Sequence, residues 1–190
     1  MADHALKPLC ALGGDAPQID RIDGVTIREN PDLAMASVAI RLGRDQDMAK
    51  AAKKLLKFDL PGPGGLAAKG DWAAFWTGPG QWLVTAPMSS HEDIARIVKA
   101  GLGDTASVTE QTDGWVRFDL EGARALDTLE RLCAVDTRAM QGGQATRTVI
   151  EHLGSFLLCH RAGTAFSVIT LRSAAASMHH ALETAVRSLE

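Results

Sequence analysis

The sequence predicts an α+β fold: two tandem strand-helix-hairpin-helix units built around an antiparallel-rich sheet. Three observations carry this. Stretches that alternate apolar with polar residues take turns with stretches whose apolar residues recur every three or four positions. Two compact turns, Gly78-Pro79-Gly80 and Ala162-Gly163-Thr164, each join a pair of strand-like segments. The order strand, helix, loop, hairpin, helix then occurs twice, at a spacing of about 80 residues.

Residues 1–20, with Pro8, Gly13, Gly14 and Pro17, read as an irregular N-terminal segment. A single domain follows over 21–190, with pseudo-repeats at about 33–102 and 114–189. In the first, 33–42 is a strand with Ala36, Val38, Ile40 and Leu42 on one face. Asp45–Leu56 is a helix with an apolar stripe of Met48, Ala51, Ala52, Leu55 and Leu56; Lys50, Lys53 and Lys54 take the wet side. Pro61-Gly62-Pro63-Gly64-Gly65 is a loop. Strands 71–77 and Gln81–Ala86 follow. Ser90 is the expected N-cap of a helix that ends at Gly101 and buries Ile94, Ile97 and Val98. In the second unit, 115–120 is a strand with Val116, Phe118 and Leu120 inward, and 123–132 is a helix. After Gly142-Gly143 come a strand over 145–152 and a hairpin of 156–161 with 166–171. A closing helix starts near Ser173, striped by Met178, Ala181, Leu182, Ala185, Val186 and Leu189. The halves share little side-chain identity, so the repeat is architectural. Their helices are expected to lie on one continuous sheet.

Composition excludes several functions. The net charge is -3 and no long run of Lys or Arg occurs, so nucleic-acid binding has no electrostatic support. The longest nearly apolar stretch, 33–40, is too short to span a bilayer. Residues 1–12 carry charge and Pro8 but no apolar run, so a secretory signal is not expected. Cys10, Cys133 and Cys159 are odd in number and widely spaced. They read as free thiols in a reducing cytoplasm, with Cys133 and Cys159 buried.

Few motifs point to chemistry. Gly62-Pro63-Gly64-Gly65-Leu66-Ala67 has the letters of a dinucleotide fingerprint, but it follows a helix and Pro63 removes a backbone N–H. Cys159-His160 and His179-His180 are adjacent pairs whose side chains diverge on a strand or a helix, so neither pair holds a metal by itself. The histidine pair is expected on a solvated face. No Gly-x-Ser-x-Gly elbow occurs, which leaves hydrolase chemistry without a signal. Trp72, Trp76 and Trp82 are expected to pack in a core. Trp115 falls with Arg117 and Asp119 on the strand face opposite Val116 and Phe118. These three residues are the candidate partner interface, with little of the indole packed within the chain, unless a helix of the chain covers that face.

Trp76-Thr77-Gly78-Pro79-Gly80-Gln81-Trp82-Leu83-Val84 resembles the Trp-x-Gly-Pro-x-x-Trp-Leu hairpin of sarcosine oxidase gamma subunits; Trp76, Gly78, Pro79 and Trp82 carry the match. Ser107-Val108-Thr109 and then 116–132 resemble that family's strand and helix, with Gly122-Ala123-Arg124-Ala125 where Gly-Pro-x-Ala is usual. Cys133-Ala134-Val135-Asp136 is similar to its Cys-x-Leu-Asp turn, and Arg172-Ser173 after the last hairpin also fits. Gly80 stands where the family often has Asp, and Ala123 replaces a Pro. More remotely, Phe118-Asp119-Leu120-Glu121-Gly122 and the helix after it are similar to the folate-binding aminomethyltransferase of glycine cleavage.

The resemblance implies an aminomethyltransferase-like domain acting as the non-catalytic gamma subunit of a heterotetrameric sarcosine oxidase. It implies no cofactor in this chain; FAD, FMN, NAD, tetrahydrofolate and zinc are expected in the other subunits. It implies alpha, beta and delta subunits as partners, alpha in direct contact, with no nucleic acid and no membrane. Aminomethyltransferases carry an acidic pair just before the strand that matches 157–161. Here 152–157 reads His-Leu-Gly-Ser-Phe-Leu, without a carboxylate. A folate amine needs a nearby acid to hold it and assist proton movement, so aminomethyl transfer is not expected. Two other readings stay open: a stand-alone folate-binding protein of the same fold, and the matching subunit of an N-methyl amino acid dehydrogenase.

Overall fold

The computed structural model describes residues 8–189, so the first seven residues of the expected N-terminal segment lie outside the described residues. The fold is α+β with antiparallel sheets. β3 (Ala34–Ile40), β4 (Leu66–Lys69), β5 (Trp72–Gly78), β6 (Gln81–Ala86) and β7 (Ala106–Glu110) make a five-stranded sheet in the order β4-β5-β6-β3-β7. β1 (Ile19–Ile22), β2 (Val25–Asn30), β8 (Trp115–Gly122), β9 (Gln144–Ile150), β10 (Leu153–Arg161) and β11 (Ala165–Leu171) make a six-stranded sheet in the order β1-β2-β8-β11-β10-β9.

Two sheets therefore replace the single continuous sheet expected from the sequence. They stack face to face. Leu33, Met35, Phe75 and Leu83 on one side meet Ala145, Phe156, Leu158 and Ile169 on the other. A strand packed on both faces loses its alternation, and β11 shows this with six consecutive buried residues. Helices cover the two outer faces. α1 (Asp45–Leu56) and α3 (Ile94–Leu102) lay Met48, Ala52, Leu56, Ile94 and Val98 on the five-stranded sheet. α4 (Ala125–Leu132) and α5 (Ala175–Arg187) lay Leu129, Met178, Leu182 and Val186 on the six-stranded one. The layers run helix, sheet, sheet, helix. Each fully buried Leu, Ile or Phe contributes about 1.5–3 kcal/mol, so all three apolar interfaces stabilise the stack.

The helix expected from Ser90 is broken. α2 (Met88–His91) contains Ser90, and α3 starts only at Ile94. The Ser90 hydroxyl bonds Pro87 O and His91 Nδ1, so it is not free to cap α3. The Gly62–Gly65 segment is a loop between α1 and β4, closed by Gly65 N–H donating to Gly62 O at 3.0 Å. A strand follows it, which removes the dinucleotide reading. In the Trp hairpin, Trp76 sits across from Trp82. Trp82 donates Nε1–H to Pro61 O at 2.8 Å, and Trp72 meets His91 edge-on at 4.6 Å. Both rings pack on the core under α1 and α3. Gly80 has φ +68°, a conformation that Gly, and after it Asn or Asp, adopts readily.

The two sheets share one strand order, since β9-β10-β11-β8-β2 repeats β4-β5-β6-β3-β7. The last strand in each list comes from the other half. β2 leads into β3 but pairs with β8; β7 leads into β8 but pairs with β3. Each unit thus takes up the strand that introduces its neighbour.

Candidate functional site

β8 alternates strictly: Val116, Phe118 and Leu120 are buried on the helix side, and Trp115, Arg117 and Asp119 face the other sheet. At Trp115 this second face is covered, by a sheet rather than a helix. The Trp115 ring lies 5.4 Å from Phe156 and its Nε1–H donates to Gln111 Oε1 at 3.1 Å. The expectation of an indole with little packing inside the chain is corrected accordingly.

Arg117 and Asp119 anchor a polar network. Asp119 Oδ2 accepts from Asn30 Nδ2 at 2.9 Å. Asp119 Oδ1 accepts from Arg117 Nε and from the Ser167 hydroxyl, each at 2.5 Å. Ser167 Oγ also accepts from Arg117 Nε at 3.0 Å and lies 2.7 Å from His160 Nε2. A hydroxyl has one proton, and Ser167 gives it to Asp119, so His160 is assigned as the Nε2–H donor. Burial lowers the proton affinity of His160, and the Arg117 charge lowers it further; Asp119 and Glu121 act the other way.

Ser, His and Asp together are the composition of a hydrolytic triad, but the order is wrong. A triad needs His between the other two, ready to take the serine proton. Here Ser167 is in the middle, fully buried, and its hydroxyl donates to Asp119. The arrangement is therefore not a Ser-His-Asp triad. What it does is hold Arg117 in one place.

Beside the network a cleft follows the seam between the sheets, lined by Leu33, Met35, Met88, Trp115, Arg117 and Arg172. Residues 8–17 strap one side of it. The strap is held by Glu29, which is buried at the end of β2. Its Oε1 accepts from Leu12 N–H at 3.0 Å and its Oε2 from Gln18 N–H at 3.3 Å. Arg172 donates to Leu9 O at 2.6 Å.

Of the residues singled out in the sequence, the structure brings Trp115, Arg117 and Asp119 together; Trp76, Gly78, Pro79 and Trp82 stay apart from them in the five-stranded sheet. Sequence reasoning missed Asn30, Ser167 and Glu29. Glu29 and Ser167 are each polar where an apolar residue is expected, while Asn30 lies on the polar phase of β2 and gives no signal. Cys159 and His160 do diverge, Cys159 into the helix-side core and His160 into the network. His179 is not solvated as expected: it pairs with Asp20 at 2.7 Å and is half-buried, while His180 is exposed. Burial raises all three thiols, so none is a ready thiolate. Among the described residues no group of His, Cys, Asp or Glu could hold a metal ion, and no helix is long and apolar enough to cross a membrane.

No protein-family model matches the sequence, and no curated protein matches it. Solved structures do match. A chain of heterotetrameric sarcosine oxidase from Corynebacterium sp. U-96, in complex with pyrrole 2-carboxylate, is similar over 90% of this chain and 88% of its own, at 19% identity and a TM-score of 0.77. Glycine cleavage system aminomethyltransferase T from Bartonella henselae is similar over 81% of this chain but 44% of its own, at 12% identity and a TM-score of 0.63. The stacked sheets and their helix layers are therefore the fold that this chain shares with a chain of heterotetrameric sarcosine oxidase and with part of aminomethyltransferase T.

Proposed function

We propose that the chain is the non-catalytic gamma subunit of a heterotetrameric sarcosine oxidase. The observation that carries this reading is one of extent. The chain matches nearly the whole of a sarcosine oxidase chain, but under half of aminomethyltransferase T. The Trp76–Trp82 hairpin, with Gly78 and Pro79 at its bend, adds sequence support.

In this reading the complex oxidises sarcosine to glycine, reduces oxygen to peroxide and passes the one-carbon unit to tetrahydrofolate. FAD, FMN, NAD, tetrahydrofolate and zinc belong to the other subunits, and the complex is cytoplasmic. Alpha, beta and delta are the partners. Alpha meets this chain at the seam cleft, where the exposed part of Trp115 stands above Arg117 and Asp119. Two features support a role without catalysis: the Ser167 proton is committed to Asp119, and 152–157 carries no carboxylate.

Purified alone, the chain is expected to be colourless and to lack sarcosine oxidase activity; a flavin absorption band retained through purification sinks the reading. Calorimetry with tetrahydrofolate is expected to give weak binding or none. A dissociation constant of about 1 μM, worth about 8 kcal/mol, points instead to a stand-alone folate-binding protein. Co-expression with alpha, beta and delta subunits is expected to give a four-subunit complex that turns over sarcosine. A complex that prefers another N-methyl amino acid and uses no oxygen points to the dehydrogenase.

A further inference from the structure

A sheet edge carries backbone N–H and C=O groups that lack a strand partner. The edges here differ. β1 and β4 are four residues long. β7 has five, and Lys99 Nζ donates to Ala106 O at its start, at 3.1 Å. β9 has seven, keeps an unbroken register along β10, and contains no Pro, Gly or Lys.

The first bonds of β9 fix which groups point outward. Ala145 N–H donates away from β10 to Gly64 O at 2.9 Å, next to a single antiparallel bridge between Gly65 and Gln144. By period two, residues 147 and 149 point the same way. Thr146, Thr148 and Ile150 pair with β10, opposite Leu157, Ser155 and Leu153. The chain's own 64–66 segment thus pairs with the start of this edge and then departs, leaving Arg147 and Val149 open. Among the described residues, only the Thr146 and Thr148 hydroxyls reach the outward carbonyls of Arg147 and Val149, at 3.5 Å. Arg147 is exposed, without an acidic partner among the described residues, and Val149 is 57% exposed. A groove lined by both apolar and charged residues, Leu132, Cys133 and Val149 with Glu130, Arg131 and Glu151, runs alongside.

We propose that residues 147–150 of β9 form a docking edge that takes an extended segment of a partner polypeptide as an added strand. Main-chain hydrogen bonds to Arg147 and Val149 supply the attachment, and alternate side chains supply the selectivity. The incoming segment places a carboxylate opposite Arg147 and an aliphatic residue opposite Val149, two positions apart on one face. This goes beyond the subunit reading and does not depend on which complex the chain joins.

The test titrates the isotope-labelled full chain with an acetylated hexapeptide that has Glu and Val two positions apart among Thr residues, up to millimolar concentration. Amide shifts and slowed hydrogen exchange are expected at Arg147 and Val149. The same peptide with Lys for Glu is expected to bind at least about tenfold more weakly, and Arg147→Glu is expected to reverse that preference. Val149→Pro deletes one outward N–H and spares the β10 ladder, so it should keep the melting temperature and lose the peptide response. Thr148→Pro deletes a ladder donor and is the folding control. No response at Arg147 and Val149, or no preference between the two peptides, overturns the proposal. Concentration-dependent protection of the same amides without peptide, with a dimer in sedimentation, puts a second copy on the edge and overturns it as well.

Discussion

At the scale of single residues, the tightest spot is Gly122. It has φ +140°, and a Cβ there would sit 1.9 Å from Gly24 O in the turn that leads into β2. Gly122→Ala is expected to cost more than about 2 kcal/mol in denaturant melts, from strain and collision together. Trp115→Ala is expected to cost the isolated chain about 2 kcal/mol, less than a fully buried ring, because the indole is only partly buried where it packs beside Phe156. A change below about 0.5 kcal/mol would return the ring to the outer surface that the strand pattern alone suggested. His160 gives a pH signature. The fold resists protonating it, so the unfolded chain binds the proton first as pH falls below the ordinary value of 6.5. Stability from this group is complete above that pH and declines below it. Urea melts at pH 7.5 and 5.5 should show a larger loss in wild type than in His160→Gln. The difference should stay under about 1 kcal/mol, because water screens the exposed side of the ring.

Among the elements, the strap over residues 8–17 is held by the side chains of Glu29 and Arg172. Glu29→Ala removes the acceptor for the Leu12 and Gln18 amides. It is expected to cost about 1–3 kcal/mol and to speed hydrogen exchange at those two amides, while β8 amides exchange as before. α1 was legible to its boundaries, because its apolar stripe and its lysines fall cleanly on two faces. β8 was legible for the same reason at period two. β1, β2, β4 and β7 were not assigned from periodicity. β1 and β4 are only four residues long, and β2 buries Glu29 where the alternation asks for an apolar side chain. The site was half legible. Trp115, Arg117 and Asp119 lie on one strand, so their shared face follows from spacing. Asn30, His160 and Ser167 come from three other strands, and only the pairings of β2, β10 and β11 bring them within reach.

For the molecule as a whole, the stacking of two sheets explains why the halves read alike yet share few side chains: each must fill a helix-side core and half of a common seam. No amount of periodicity shows that seam, since a strand buried on both faces has none. The exchange of β2 and β7 has a consequence for how the protein is made. Val25 takes its place opposite Gly122, which the ribosome reaches roughly a hundred residues later. At about 5–20 residues per second, the first hairpin waits on the order of ten seconds with Ile27 uncovered. Nascent chains halted before residue 115 are expected to stay protease-sensitive over 19–30. Chains halted after residue 171 has left the tunnel are expected to be resistant there. Translation speed through the middle of the message thus sets how long an unfinished, sticky intermediate stays in the hands of chaperones.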